Sequence, residues 1–353
     1  MRHLRRLVLI CFIGVPLSPA FAMHHTESLT ATQANVRTVN VKTGAVSPRQ
    51  KPHAVLARHR RVFSPKASPR ALAPEPRDTR NDLPDGLSLL SNAAYIYDET
   101  NQKVLADRNP DQVQPIASIT KLMTAVVVLQ QGLPLDELIE IDEADVDKLR
   151  HTHSLLKVGT RYTRRDLLLM ALMASENRAA AALGRSVPEG REAFIARMNA
   201  VAAQLGMNHT HFEDTSGLNG QNQSSARDLA LLVHFSAGYP VIQEFTTTPQ
   251  AVIAPAIGGR PYVFRNTNMI VRQGQWDVVV SKTGFINESG QCLVMQARID
   301  GRLTTMVLLD SHGRFSRIND AQRVRKWLEY RAVQEAKLGQ RDVSPKLNSQ
   351  ARS

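Results

Sequence analysis

The hydrophobic pattern changes its period twice along the chain, and each period predicts its own kind of element. Two short apolar runs, 93–97 and 103–106, flank the polar stretch Asp98-Glu99-Thr100-Asn101-Gln102, which predicts an antiparallel hairpin. A helical period follows. Leu122, Ala125, Val126 and Leu129 fall on one face, predicting a helix over 118–131, with further helices over 164–172, 192–204 and 226–235. The strand pattern returns at 276–282, 291–299 and 302–309, the last two joined at Asp300-Gly301, a dipeptide suited to a tight turn. An amphipathic helix over about 316–337 closes the pattern.

With strands at both ends of this region and helices between, the expected fold class is α+β. One antiparallel sheet is assembled from N- and C-terminal strands, covered by helices, with a mainly helical middle region. Residues 86–338 are enough for a single domain with a sizeable core.

The termini read differently. Residues 1–22 carry Arg2, Arg5 and Arg6, an apolar run from Leu7 to Val15, and Ala20-Phe21-Ala22 as a small-residue cleavage site, the pattern of a secretory signal peptide. Its apolar core is too short for a stable membrane anchor, and no later run reaches the ~20 apolar residues a spanning helix needs. The expected location is therefore the periplasm, with no stable membrane anchor after cleavage. Residues 23–85 are rich in Pro, Arg, Ser, Thr and Ala without a sustained apolar period, which predicts a disordered basic leader; 339–353 read as a disordered polar tail.

Charge changes the picture little. Of the net +12, the signal holds +3, the leader +6 and the tail +2, so the folded part is nearly neutral and no nucleic-acid partner is expected. Only Cys11 and Cys292 occur, and Cys11 leaves with the signal, so the mature chain has no internal disulfide to form. Cys292, in an apolar strand, reads as a small core residue without the context that would make a thiolate.

Three short motifs stand in order: Ser118-Ile119-Thr120-Lys121, Ser175-Glu176-Asn177 and Lys282-Thr283-Gly284. A serine hydroxyl attacks a carbonyl only when a base takes its proton, and a lysine three residues on along a helix lies one turn away on the same face. For that role Lys121 must be neutral part of the time, and burial with a second cation nearby, Lys282, would lower its pKa. Duplicates occur at Ser154-Leu155-Leu156-Lys157 and Lys42-Thr43-Gly44, but Ser118 heads a patterned helix, whereas Lys42 lies in the leader. Residues 276–281 read as a strand ending at Lys282, with Gly284 letting a substrate backbone approach. Ser175 and Asn177 would face apart on a helix, so their segment is expected to be a turn that points both into one cleft. His151/His153 and His209/His211 raise zinc chemistry, but neither pair brings a placed third ligand, so no metal and no cofactor is expected.

The ordered set resembles the serine penicillin-binding proteins and class A β-lactamases. The resemblance extends through 147–152, 171–181, 264–268 and 282–285 and covers about 86–335, closest to the endopeptidases among the D-alanyl-D-alanine peptidases. It implies the β-lactamase/transpeptidase-like fold and a D,D-endopeptidase acting on peptidoglycan peptide stems through an acyl-enzyme on Ser118, with β-lactam antibiotics as covalent inhibitors. With Lys121 as the candidate base, it further implies that Ser175 relays a proton to the leaving amine and that Asn177 holds Lys121 and the substrate amide. Lys282 and Thr283 would bind the substrate carboxylate beside Gly284. The backbone N–H groups of Ser118 and Phe285 would form the oxyanion hole. A soluble carboxypeptidase is the alternative. A class A β-lactamase would add a Glu-x-x-x-Asn between Asn177 and Lys282, which this chain lacks, and a β-lactam sensor would add a spanning helix.

Overall fold

The computed structural model describes residues 83–342. The expected signal peptide and nearly all of the expected leader lie outside the described residues. In chain order, β1 (Ser91–Asp98) and β2 (Lys103–Arg108) form the expected hairpin, followed by the short β3 (Gln114–Pro115) and a 3-10 turn, Ala117–Ile119. Then come α1 (Thr120–Gln130), β4 (Leu138–Glu140), β5 (Arg161–Thr163), α2 (Arg164–Met173), α3 (Asn177–Arg185) and α4 (Gly190–Gln204). Next are β6 (Gln223–Ser224), α5 (Ala226–Ser236), α6 (Pro240–Thr247), β7 (Gln250–Ile253), β8 (Tyr262–Arg265) and α7 (Met269–Gln273). The strands β9 (Asp277–Ile286), β10 (Gly290–Ile299) and β11 (Arg302–Ser311) lead into α8 (Ser316–Asp342).

The main sheet has the order β2-β1-β11-β10-β9, with each neighbouring pair antiparallel, so the N-terminal hairpin docks beside the last strand. The period of two explains why its inner strands read as continuous apolar runs: both faces are covered. Ala93 and Tyr95 of β1, Val294 of β10, and Val307 and Leu309 of β11 pack toward the core shared with α1–α6. The residues between them, Ala94, Ile96, Leu293, Met295, Met306 and Leu308, pack toward Leu87, Leu89 and the Val324 and Trp327 face of α8. α1 runs through the middle of the first core with every residue from Thr120 to Val128 buried. A charged residue in that helix is therefore taken out of water by position alone.

Three expectations are corrected. Ser118 lies not in α1 but in the 3-10 turn just before it. β9 does not end at Lys282; its pairing with β10 continues through Gly284↔Cys292 to Ile286↔Gly290, which places the Lys-Thr-Gly motif inside a strand. α8 runs through Leu338 to Asp342, into the stretch expected to be tail, and at the other end Leu83 is already buried within the expected leader. The ribbons β4–β5 and β7–β8 and the helices α6 and α7 carry no pattern long enough to have been predicted. Among the described residues no helix is long and apolar enough to cross a membrane.

Candidate active site

The nucleophile segment is held by strain and by two glycines. Ala117 has φ +49°, a left-handed conformation that costs a non-glycine residue energy and turns the chain sharply into Ser118. Thr120 Oγ1 donates to Ala117 O at 2.8 Å and accepts from Asn222 Nδ2 at 3.0 Å, which fixes the turn to the 213–222 loop. Gly217 has φ +83°, and a Cβ there would lie 1.9 Å from Ala117 O. A Cβ on Gly284 would lie 2.8 Å from Ile116 O and 3.3 Å from Ser118 N. Gly284 is thus required by the close approach of the nucleophile segment to β9, a reason different from the substrate approach expected from sequence. Gly217→Ala is expected to cost about 1–3 kcal/mol of stability, from backbone strain alone. It should also slow penicillin acylation by about tenfold, a 1.4 kcal/mol effect. Gly220, in the same loop with nothing within 4 Å of its Cβ position, is the control. Thermal melting and acylation rates on both alanine variants check this.

Lys121 is fully buried, and its Nζ lies 2.8 Å from Ser118 Oγ, 2.7 Å from Asn177 Oδ1 and 2.6 Å from Ser216 O. Burial pushes its pKa down to about 7, against the opposing pull of the Asp214 and Glu176 carboxylates. A neutral amine has two N–H groups and one lone pair. Asn177 Oδ1 and Ser216 O can only accept, so they take both hydrogens and leave the lone pair facing the Ser118 hydroxyl. Of the two causes expected from sequence, burial in α1 is the one that lowers Lys121, and the second cation, Lys282, is not among its causes.

The second motif adopts the expected turn. Ser175 sits between α2 and α3 with φ +59°, and Glu176 caps α3 by accepting from Arg178 N, so that Asn177 becomes the first residue of the helix. Lys282, also buried, donates to Ser175 Oγ at 2.9 Å. Its pKa is pushed well below the usual lysine range, by burial first and then by Lys121 and Arg317. Thr283 Oγ1 lies 2.6 Å from Thr267 Oγ1, and Arg317 of α8 donates to Gly284 O at 2.6 Å. Phe285 is exposed at the rim of a cleft of ≈ 440 Å³ that it shares with Ser118, Thr152, Asn177, Leu149 and Leu218. Hydrogen bonds join Ser118, Lys121 and Asn177 in one group and Lys282 and Ser175 in another, and the close approach of Gly284 brings β9, with Thr283 and Phe285, beside Ser118. Ser154, the rival serine, accepts from Leu156 N at 3.1 Å in a loop turn.

Sequence reasoning took Glu213 and Asp214 for turn residues and gave the loop behind Lys121 no part in the site. Asp214 accepts from the backbone N–H groups of Ser216 and Asn219 at 2.6 Å each, and Asn222 Oδ1 accepts from Glu213 N and Asp214 N. These bonds aim Ser216 O at Lys121. The spacing Asp214-x-Ser216-Gly217 is that of an Asx turn, the one signal in the sequence that could have marked it.

Comparison with known proteins agrees with this geometry. A family model described as D-alanyl-D-alanine carboxypeptidase matches residues 79–313. A Pseudomonas aeruginosa protein named D-alanyl-D-alanine endopeptidase is 45% identical over 247 residues, covering 70% of this chain and 80% of its own. An Escherichia coli protein of the same name is 40% identical over 262 residues, covering 74% and 84%. The crystal structure of the Streptomyces K15 DD-transpeptidase superposes with a TM-score of 0.64 at 27% identity, covering 68% of this chain and 97% of that one. The fold is therefore the transpeptidase-like α+β fold.

Proposed function

Because the chain belongs to the D-alanyl-D-alanine carboxypeptidase family of serine peptidases, we propose that it is a D,D-endopeptidase hydrolysing D-alanyl–diaminopimelyl cross-links of peptidoglycan. The observation that carries the chemistry is the 2.8 Å contact between Ser118 Oγ and a buried lysine whose pKa is pushed down to about 7. Ser118 gives its proton to Lys121 Nζ as its Oγ attacks the D-alanyl carbonyl. The backbone N–H groups of Ser118 and Phe285 stabilise the oxyanion. Collapse breaks the C–N bond, the proton held by Lys121 passes through Ser175 to the leaving amine, and water then cleaves the Ser118 ester, giving one proton back to Ser118 Oγ and leaving its hydroxyl on the released carboxyl group.

Among the described residues β9 is the edge strand of the sheet, with no strand partner there on one side of its backbone, which suits an extended peptide. On that strand Thr283 and Lys282 hold the substrate carboxylate. A β-lactam enters the same chemistry and leaves a penicilloyl ester on Ser118. The pattern of residues 1–22 supports a periplasmic place of action.

The choice of endopeptidase rests on the relatives at 45% and 40% identity, both named for that activity. The family description favours a carboxypeptidase as the second reading. A chromatographic time course on purified dimeric muropeptides and on monomeric pentapeptide, at equal concentration, separates them. Faster cleavage of the dimers is expected; free D-alanine from the monomer with intact dimers would replace the proposal by the carboxypeptidase.

A further inference from the structure

The base at this site has a direction as well as a pKa, and the direction depends on which way the Asn177 amide faces. With Oδ1 toward Lys121, the neutral amine spends a hydrogen there and its lone pair is left for Ser118. With the amide reversed, an N–H would face Lys121, draw the lone pair to itself and leave an amine hydrogen facing the nucleophile. Nothing in Asn177 decides between the two.

The decision comes from outside the three motifs. Asn177 Nδ2 lies 3.1 Å from Thr152 Oγ1, and Thr152 Oγ1 in turn lies 2.7 Å from Asp147 Oδ2. Asp147 is an acceptor that four donors of its own loop surround: Leu149 N at 2.9 Å, Arg150 N at 3.0 Å, Thr152 N at 2.8 Å and the Thr152 hydroxyl. A carboxylate has no hydrogen to give, so the single Thr152 proton points at Asp147. Thr152 Oγ1 is left with lone pairs only, and the one group of Asn177 that can meet it is the NH₂. The loop is also tied to the other acceptor of Lys121, since Arg150 Nε donates to Leu218 O at 2.5 Å, two residues from Ser216.

We propose that Asp147 and Thr152 are positioning residues that set the hydrogen-bond polarity of Asn177 and so aim the lone pair of Lys121 at Ser118. The inference rests on the assignment of Ser118 and Lys121 above, and it adds a function for a loop that touches neither reacting atom. It follows from the acceptor-only character of a carboxylate. A threonine at position 152 without the carboxylate would not be enough.

The test is the rate of penicillin acylation across pH for wild type, Thr152→Val and Thr152→Ser, with thermal melting as a check on folding. Thr152→Val keeps the shape and removes the acceptor, so the plateau rate should fall about tenfold, the weight of about 1.4 kcal/mol in the transition state. Its midpoint should also move to lower pH, because a reversed amide no longer favours the ammonium. Thr152→Ser keeps the hydroxyl and should restore both. Asp147→Asn, whose amide can either donate to or accept from Thr152, should give an intermediate loss. An unchanged plateau and midpoint in Thr152→Val overturns the proposal, as does Thr152→Ser behaving like Thr152→Val, which would reduce the loop to packing. Absence of acylation in the wild type would instead sink the catalytic reading itself.

Discussion

Lys121→Ala should lower the second-order rate of penicillin acylation by about 10²-fold or more, the usual weight of a general base in the transition state. Ser118 would remain in place, since its turn is held by Ala117, Thr120 and Asn222 and not by the lysine. The wild-type rate should also depend on pH in a way that identifies the base. Burial penalises the ammonium, so the pKa falls and the neutral, proton-accepting amine predominates above about pH 7. Below that point the rate should drop about tenfold per pH unit as the amine charges, and above it the rate should level off. A lysine at its ordinary value of 10.5 would instead give a rate still climbing at pH 9. Stopped-flow acylation of wild type and variant over this range reads both effects. Equal rates for the two proteins would remove Lys121 from the role of base.

Much of this site was legible because its chemistry needs particular side chains at particular spacings. Ser118 with Lys121, Ser175 with Asn177, and Lys282 with Thr283 each stand at a place the sequence pattern marks: the start of the largely apolar α1, the break between α2 and α3, and the Val-rich β9. The helices α2, α4 and α5 and the hairpin β1–β2 were legible for the same reason, being long or bounded by polar turns. What was not legible acts through backbone or through distance in the chain. Ser216 contributes a carbonyl that any residue carries, and Gly217 and Gly284 are required by an approach between segments about a hundred residues or more apart, which no local pattern records. The extent of β9 past Lys282 depends on its partner β10, and the depression of Lys121 depends on how completely α1 is enclosed. Neither the partner nor the enclosure is a property of the motif itself.

Ser118→Ala should abolish covalent labelling by penicillin and reduce hydrolysis of dimeric muropeptides by about 10⁴-fold or more, since losing a nucleophile removes the whole covalent route while binding persists. Substrate affinity should survive, because Lys282, Thr283 and the β9 edge are untouched. Retained affinity with lost turnover separates a missing nucleophile from a misfolded cleft. The rival Ser154 should be dispensable, its hydroxyl serving a loop turn at Leu156. The most direct measurement is mass mapping of the protein after reaction with labelled penicillin, in wild type, Ser118→Ala and Ser154→Ala. The account predicts one adduct, on the peptide containing Ser118, present in wild type and Ser154→Ala and absent from Ser118→Ala; an adduct on any other residue would contradict it.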